Sequence, residues 1–220
     1  MKLLYINPNS TEAMTRGLVA VAQACLPGHE VIGLTNHDGP PAIEGPEDGE
    51  ATLPGLHKLI AANRDADAIV IACFDDTGLA QAQAAAPCPV LGIGQSAYVM
   101  ATLMGRRFSV VTSLAVSIPV IEGNIAAQGF AGTCASVRAS GLPVLTIDEG
   151  SEATRTTLAK AIRAARDEDG AEAVVLGCAG MAPLRADLAA RSGVALIDGV
   201  EASAHLALAA AGFAAGTRAA

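Results

Sequence analysis

The chain has 220 residues, 51% of them hydrophobic, and a formal net charge of −8. That length and apolar content can bury a sizeable core, while the acidic balance, with no dense Lys/Arg run, excludes nucleic acid as an expected partner. The apolar stretches around Ile69 and Val174 run for only about six residues, against the ~20 that a membrane helix needs, so no membrane partner is expected either.

In chain order, Met1-Lys2 leads straight into a first strand, without a basic region and apolar signal core, and a cytoplasmic location is expected. Strands are predicted over 2–7, 29–35, 67–72 and 88–93, then over 107–112, 133–139, 171–177 and 193–197, with Ala-rich helical stretches between them. Short β-branched runs alternating with helices predict an α/β fold of parallel sheets flanked by helices. Asn7-Pro8-Asn9-Ser10-Thr11 forms a polar turn after the first strand, and Ser10 and Thr11 are placed to cap the first helix. Gly28 and Gly170 fit helix exits. Residues 36–49 have no period and many Gly and Pro breakers, which predicts a long loop of the kind that often carries function.

The second half repeats the first. With no gap, Leu3-Leu4-Tyr5-Ile6-Asn7 overlays Phe108-Ser109-Val110-Val111-Thr112, Ala68 to Cys73 overlays Ala173 to Cys178, Leu79 overlays Leu184 and Gly94 overlays Gly199. Such a period is far too long for a solenoid. It predicts two pseudo-symmetric lobes, 1–105 and 106–220, each a mostly four-stranded parallel sheet, with room for the C-terminal helix to pack back on the first lobe.

Ligands of open parallel sheets bind beyond the carboxyl ends of the strands. Asn7, Cys73, Thr112 and Cys178 each close a predicted strand, so two lobes facing each other would bring all four to one cleft, with a thiol on either side of a ligand. One thiolate can take a proton from a carbon next to a carbonyl while the opposite thiol returns one, which inverts the centre. A thiol suits both parts because its ordinary pKa, about 8.5, is readily tuned. Backbone N–H groups at 74–76 and 179–181 would face the developing oxyanion, and Gly180 allows close approach. Asp75 and Asp76 would raise a neighbouring thiol's pKa, and capping a helix start is their expected role. Cys25, Cys88 and Cys134 lack a repeat-matched strand end and read as packing residues. No disulfide is expected, and no metal, because there is no C-x-x-C or grouped His pattern. His29, His37, His57 and His205 read as surface or structural residues, His37 in the long loop being the one of interest. Gly92-Ile93-Gly94 lacks the third glycine and the frame of a dinucleotide site. Lys2, Lys58 and Lys160 are the only lysines and none sits at a predicted strand exit, so a cofactor-free mechanism is expected.

The motifs Asn7-Pro8-Asn9-Ser10-Thr11, Gly39-Pro40 with Ile43-Glu44-Gly45, Cys73-Phe74-Asp75-Asp76, and Leu176-Gly177-Cys178-Ala179-Gly180-Met181 together resemble the hydantoin and allantoin racemases of the Asp/Glu racemase superfamily, in the same order over nearly the whole chain. The resemblance implies a cofactor-independent two-base racemase of 5-substituted hydantoins or allantoin, commonly a homo-oligomer. Cys73 and Cys178 would be the acid/base pair. Asn7, Ile43, Thr112, Ser113 and the turns Phe74-Asp75-Asp76 and Ala179-Gly180-Met181 would hold the hydantoin-type ring. Amino-acid racemases of the group typically follow the first cysteine with Asn-Thr, which this chain replaces by Phe74-Asp75. Similar arylmalonate decarboxylases have only the second cysteine, and maleate isomerase is a further two-cysteine alternative. From another class, a non-catalytic binding protein with two lobes around a cleft is the alternative.

Overall fold

The computed structural model describes residues 1–217. Its first half runs β1 (Lys2–Asn7), α1 (Glu12–Cys25), β2 (Glu30–Thr35), α2 (Pro46–Ala62), β3 (Ala68–Ile71), α3 (Leu79–Ala85), β4 (Val90–Gly92) and α4 (Ile93–Leu103). The second half runs β5 (Phe108–Thr112), α5 (Ile118–Ala127), β6 (Cys134–Ala139), α6 (Val144–Glu149), α7 (Glu152–Asp169), β7 (Ala173–Gly177), α8 (Arg185–Ser192), β8 (Ala195–Asp198) and α9 (Gly199–Thr217), with 3-10 turns at Ala115–Ser117 and Ala179–Leu184. All eight strands fall on their predicted positions with ends shifted by no more than two residues.

The two four-stranded sheets have the orders β2-β1-β3-β4 and β6-β5-β7-β8, with every pairing parallel. The repeat in the sequence is therefore a repeat of topology. In each sheet the chain winds outward in both directions from the two central strands, so a crevice opens beyond the carboxyl ends of β1 and β3, and likewise beyond β5 and β7. These four strands are covered on both faces, which is why they read as unbroken apolar runs: Leu3, Leu4, Ile6, Ala68 to Ile71 and Ala173 to Val175 are fully buried.

One apolar cluster joins the two halves. Tyr5 and Phe74 of the first half pack with Phe108 and Val175 of the second through α4 and α9. The Tyr98 ring stacks on Phe108 with 5.8 Å between centroids and meets Phe74 edge-on at the same distance. The Tyr5 hydroxyl lies 2.9 Å from Ser203 Oγ of α9, and α9 packs on β3 and β4 as well as on β7 and β8. Its run of alanines and Gly199 permits that close approach. No helix among the described residues is long and apolar enough to cross a membrane.

Two local expectations are corrected. The loop predicted over 36–49 ends sooner, because α2 starts at Pro46: a proline in the first turn, followed by Glu47 and Asp48, favours a helix start. The remaining loop is pinned by Asn36, whose amide donates to Pro8 O and Thr52 O. Thr11 precedes α1 as expected, yet its hydroxyl donates to Pro41 O at 2.7 Å instead of capping the helix, tying the same loop to the β1–α1 turn. Gly170 closes α7 in the left-handed conformation expected of a helix exit.

Candidate active site

The crevices of the two sheets merge into one narrow cleft. Cys73 and Gly177-Cys178-Ala179 line it from the ends of β3 and β7, with Phe74, Asp75, Thr112 and Ser113 beside them and Ile43 from the long loop. Glu44, next to Ile43, carries the loop across to the other lobe: its Oε1 accepts the Val144 N–H at 2.7 Å.

The two thiols have matched surroundings. The Asp75 N–H faces Cys73 and the Gly180 N–H faces Cys178, each two residues on in both copies of the repeat, and each partly offsets the upward push on its thiol. Only Cys73 has a hydroxyl as well, from Thr77 at 3.7 Å. Burial among the surrounding atoms pushes both thiols up, Cys178 to about 12 and Cys73 higher, although Cys73 keeps part of its surface open to the cleft. The Asp75 carboxylate raises both further, and Asp148 and Glu44 add to the effect at Cys178. In the free protein both cysteines are therefore neutral thiols at pH 7. Burial alone raises the Asp75 carboxyl to about 6.

Of the expected site residues, Asn7, Asp76 and Met181 are placed elsewhere. Asn7 is fully buried behind the cleft wall: its amide donates to Asn9 Oδ1, Thr11 O and Thr15 Oγ1, so it braces the β1–α1 turn and presents Asn9 in its stead. Asp76 turns away from the cleft, with its backbone at φ 49°, and its carboxylate accepts the N–H groups of Gly94 (2.9 Å) and Gln95 (2.7 Å). It does cap a helix, as its type suggests, but the helix is α4 and not the following α3. This also accounts for Gly92-Ile93-Gly94: a Cβ on Gly92 would lie 1.9 Å from Asp76 Oδ1, and one on Gly94 would lie 2.4 Å from Phe74 O. Gly180 serves through its backbone, and Met181 is sealed in the core of the second lobe. His37 is on the surface, 3.9 Å from Glu12.

The cleft also contains Asn9, Met14, Ser117 and Val144, which the sequence did not single out. Asn9 stood in a motif already noted for its turn. The others come from α1, the 3-10 turn after β5 and the start of α6, segments with no chemical signature of their own.

The family model described as Asp/Glu/Hydantoin racemase matches residues 3–207. A hydantoin racemase of Rhizobium meliloti is 42% identical over 210 residues, covering 94% of this chain and 87% of that one. The structure of an allantoin racemase from Klebsiella pneumoniae superposes with a TM-score of 0.92 at 36% identity, over 97% of this chain and 89% of that one. A glutamate racemase from Francisella tularensis, 16% identical, shares the fold with a TM-score of 0.71 over 94% of this chain and 80% of that one. The chain belongs to the Asp/Glu/hydantoin racemase family.

Proposed function

We propose that this protein is a cofactor-independent racemase of 5-substituted hydantoins or of allantoin, with Cys73 and Cys178 as its two acid/base groups. The observation that carries the reading is the placement of two thiols at equivalent strand ends of two like sheets, on one cleft. Both thiols rest neutral, so one cysteine first gives its proton up to solvent and then, as thiolate, takes the C5 proton of the ring. The C–H electron pair moves onto the adjacent carbonyl as an enolate, and the other cysteine, as thiol, delivers its proton to the opposite face of C5. The first cysteine ends as thiol and the second as thiolate, ready for the reverse direction. The Phe74 and Ala179 backbone amides, which lead into the two cysteine turns, and the Ser113 hydroxyl supply donors for the enolate oxygen, while Ile43, Phe74 and Val144 give the ring substituent an apolar wall. Asp75 offers the ring N–H groups an acceptor and would repel a free carboxylate, which favours a cyclic imide over an amino acid.

The test follows enantiopure 5-benzylhydantoin and, separately, allantoin in deuterated water, by proton NMR of C5 and by optical rotation. Exchange that keeps pace with loss of rotation, above the uncatalysed background, is the expected result for one of the two. No exchange with either refutes the reading.

Asp75→Asn has a second readout. Because the Asp75 charge raises both thiols, its removal shifts the alkaline limb of the kcat/KM profile to lower pH by roughly one unit. The same change alters stability. The Asp75 carboxyl titrates near 4 in the unfolded chain and at about 6 in the folded one, so its contribution is full at low pH and is lost as pH rises through 6. Urea unfolding at pH 8 should therefore show the variant more stable than the wild type. A limb that does not move means that Asp75 does not face the thiols in solution.

A further inference from the structure

Away from the cleft, three ligating groups of different chemistry meet where α1 ends and α9 begins. The Cys25 sulfur, a Glu201 carboxylate oxygen and a His205 ring nitrogen all lie within 4.8 Å of one another. Cys25 is the last residue of α1, and Glu201 and His205 stand one turn apart on the same face of α9, which packs directly on α1. We propose that Cys25, Glu201 and His205 form a Zn²⁺ site that fastens α1 to α9, with water as the fourth ligand.

The donor set selects the metal class. A thiolate with an imidazole and a carboxylate suits Zn²⁺ and its Co²⁺ analogue, whereas Mg²⁺ and Ca²⁺ take oxygen ligands. Zinc bond lengths place tetrahedral ligand atoms roughly 3.3–3.6 Å apart, so no pair in the group has to close by more than about 1.5 Å. His205 is exposed and Glu201 and Cys25 are half-buried, which leaves their side chains free to do so. The support around the ligands is already in place. Arg185 Nε holds Glu201 Oε2 at 2.9 Å and leaves the other carboxylate oxygen for the metal. The Asp198 carboxylate accepts the N–H groups of Val200 and Glu201, which fixes the first turn of α9. Besides its burial, Cys25 feels the negative charges of Glu201 and Asp198, opposed in part by Arg185, so a cation there meets two carboxylates. Cys25 binds as the thiolate and its proton goes to solvent. A cavity lined by Met104, Glu201 and His205 leaves room for the fourth ligand. Cys25 and His205 lie far apart in the sequence, without the short spacing that marks a metal motif, so only the fold brings them together.

The experiment titrates Co²⁺ into the Cys73→Ser/Cys178→Ser protein, which removes the cleft thiols as competing ligands. One equivalent should give a thiolate-to-cobalt charge-transfer band and strong tetrahedral d–d bands. Cys25→Ser should abolish the charge-transfer band, and His205→Ala should weaken binding at least about tenfold. Zn²⁺ should raise the melting temperature of the Cys73→Ser/Cys178→Ser protein, and by clearly less once His205→Ala is added. Absence of the band, or a band unaltered by Cys25→Ser, overturns the site. Should Cys25→Ser not fold, the exposed His205 decides: unchanged affinity in His205→Ala also overturns it.

Discussion

Cys73→Ser and Cys178→Ser each lower the kcat/KM of racemisation by about a thousandfold or more, within the span that general acid–base groups contribute. A serine hydroxyl is nearly isosteric with a thiol but is far too weak an acid to serve as either partner near neutral pH. The two losses are complementary. With Cys178 replaced, Cys73 can still take and return the proton of the enantiomer whose C5 hydrogen faces it, so that enantiomer exchanges deuterium without inverting. With Cys73 replaced, the other enantiomer does so. Proton NMR on each pure enantiomer, together with optical rotation, separates exchange from inversion. Equal exchange of both enantiomers in either variant would mean that one thiol reaches both faces, and the assignment of one cysteine to each face would fall. Matching melting curves for wild type and variants establish that the loss is chemical, because both thiols sit in turns with backbone N–H groups directed at sulfur and a hydroxyl accepts those bonds equally well.

The strands, their parallel pairing and the two thiols were legible because each leaves a local mark that the repeat doubles. β3 and β7 are short apolar runs followed by cysteines in equivalent positions of the repeat, and no other pair of cysteines shares that relation. Helix α2 was partly hidden, because Pro46 reads as a breaker until its place in the first turn is known. Asn7 and Asp76 differ from expectation for a common reason: a polar side chain at a strand end can face the ligand or satisfy the backbone behind it. The choice depends on partners distant in sequence, Thr15 for Asn7 and Gly94 for Asp76. Nothing local marks Ser117 and Val144, because a cleft wall is assembled by topology from segments that carry no motif. The repeat also preserved a cue whose meaning only packing supplies. Gly94 and Gly199 open the equivalent helices α4 and α9, and a Cβ on Gly199 would lie 2.4 Å from Ile93 O, at the start of α4.

Gly94→Ala should therefore destabilise the protein more than any ordinary glycine-to-alanine change in a helix. Its Cβ would meet Phe74 O at 2.4 Å and Asp76 Oδ2 at 3.0 Å. The first of these is a backbone atom in the turn that carries Cys73, and it cannot rotate away. To make room the start of α4 must withdraw from Asp76, weakening the Gly94 and Gln95 N–H bonds to a carboxylate that has few other partners. Overpacking of this kind costs about 1–3 kcal/mol and hydrogen bonds to a charged group about 1.5–3 kcal/mol. A loss near 3 kcal/mol corresponds to a fall in melting temperature of roughly 6–12 °C for a chain of this size. Gly123→Ala is the control, since Gly123 lies inside α5 with nothing within 4 Å of a new Cβ, and alanine there should stabilise by up to about 1 kcal/mol. Racemisation in Gly94→Ala should fall well beyond the folded fraction, because displacing Phe74 displaces Cys73, and misplacement by about an ångström costs on the order of a hundredfold in rate. A variant as stable and as active as Gly123→Ala would show that the Cys73 turn and α4 are not held together by this contact.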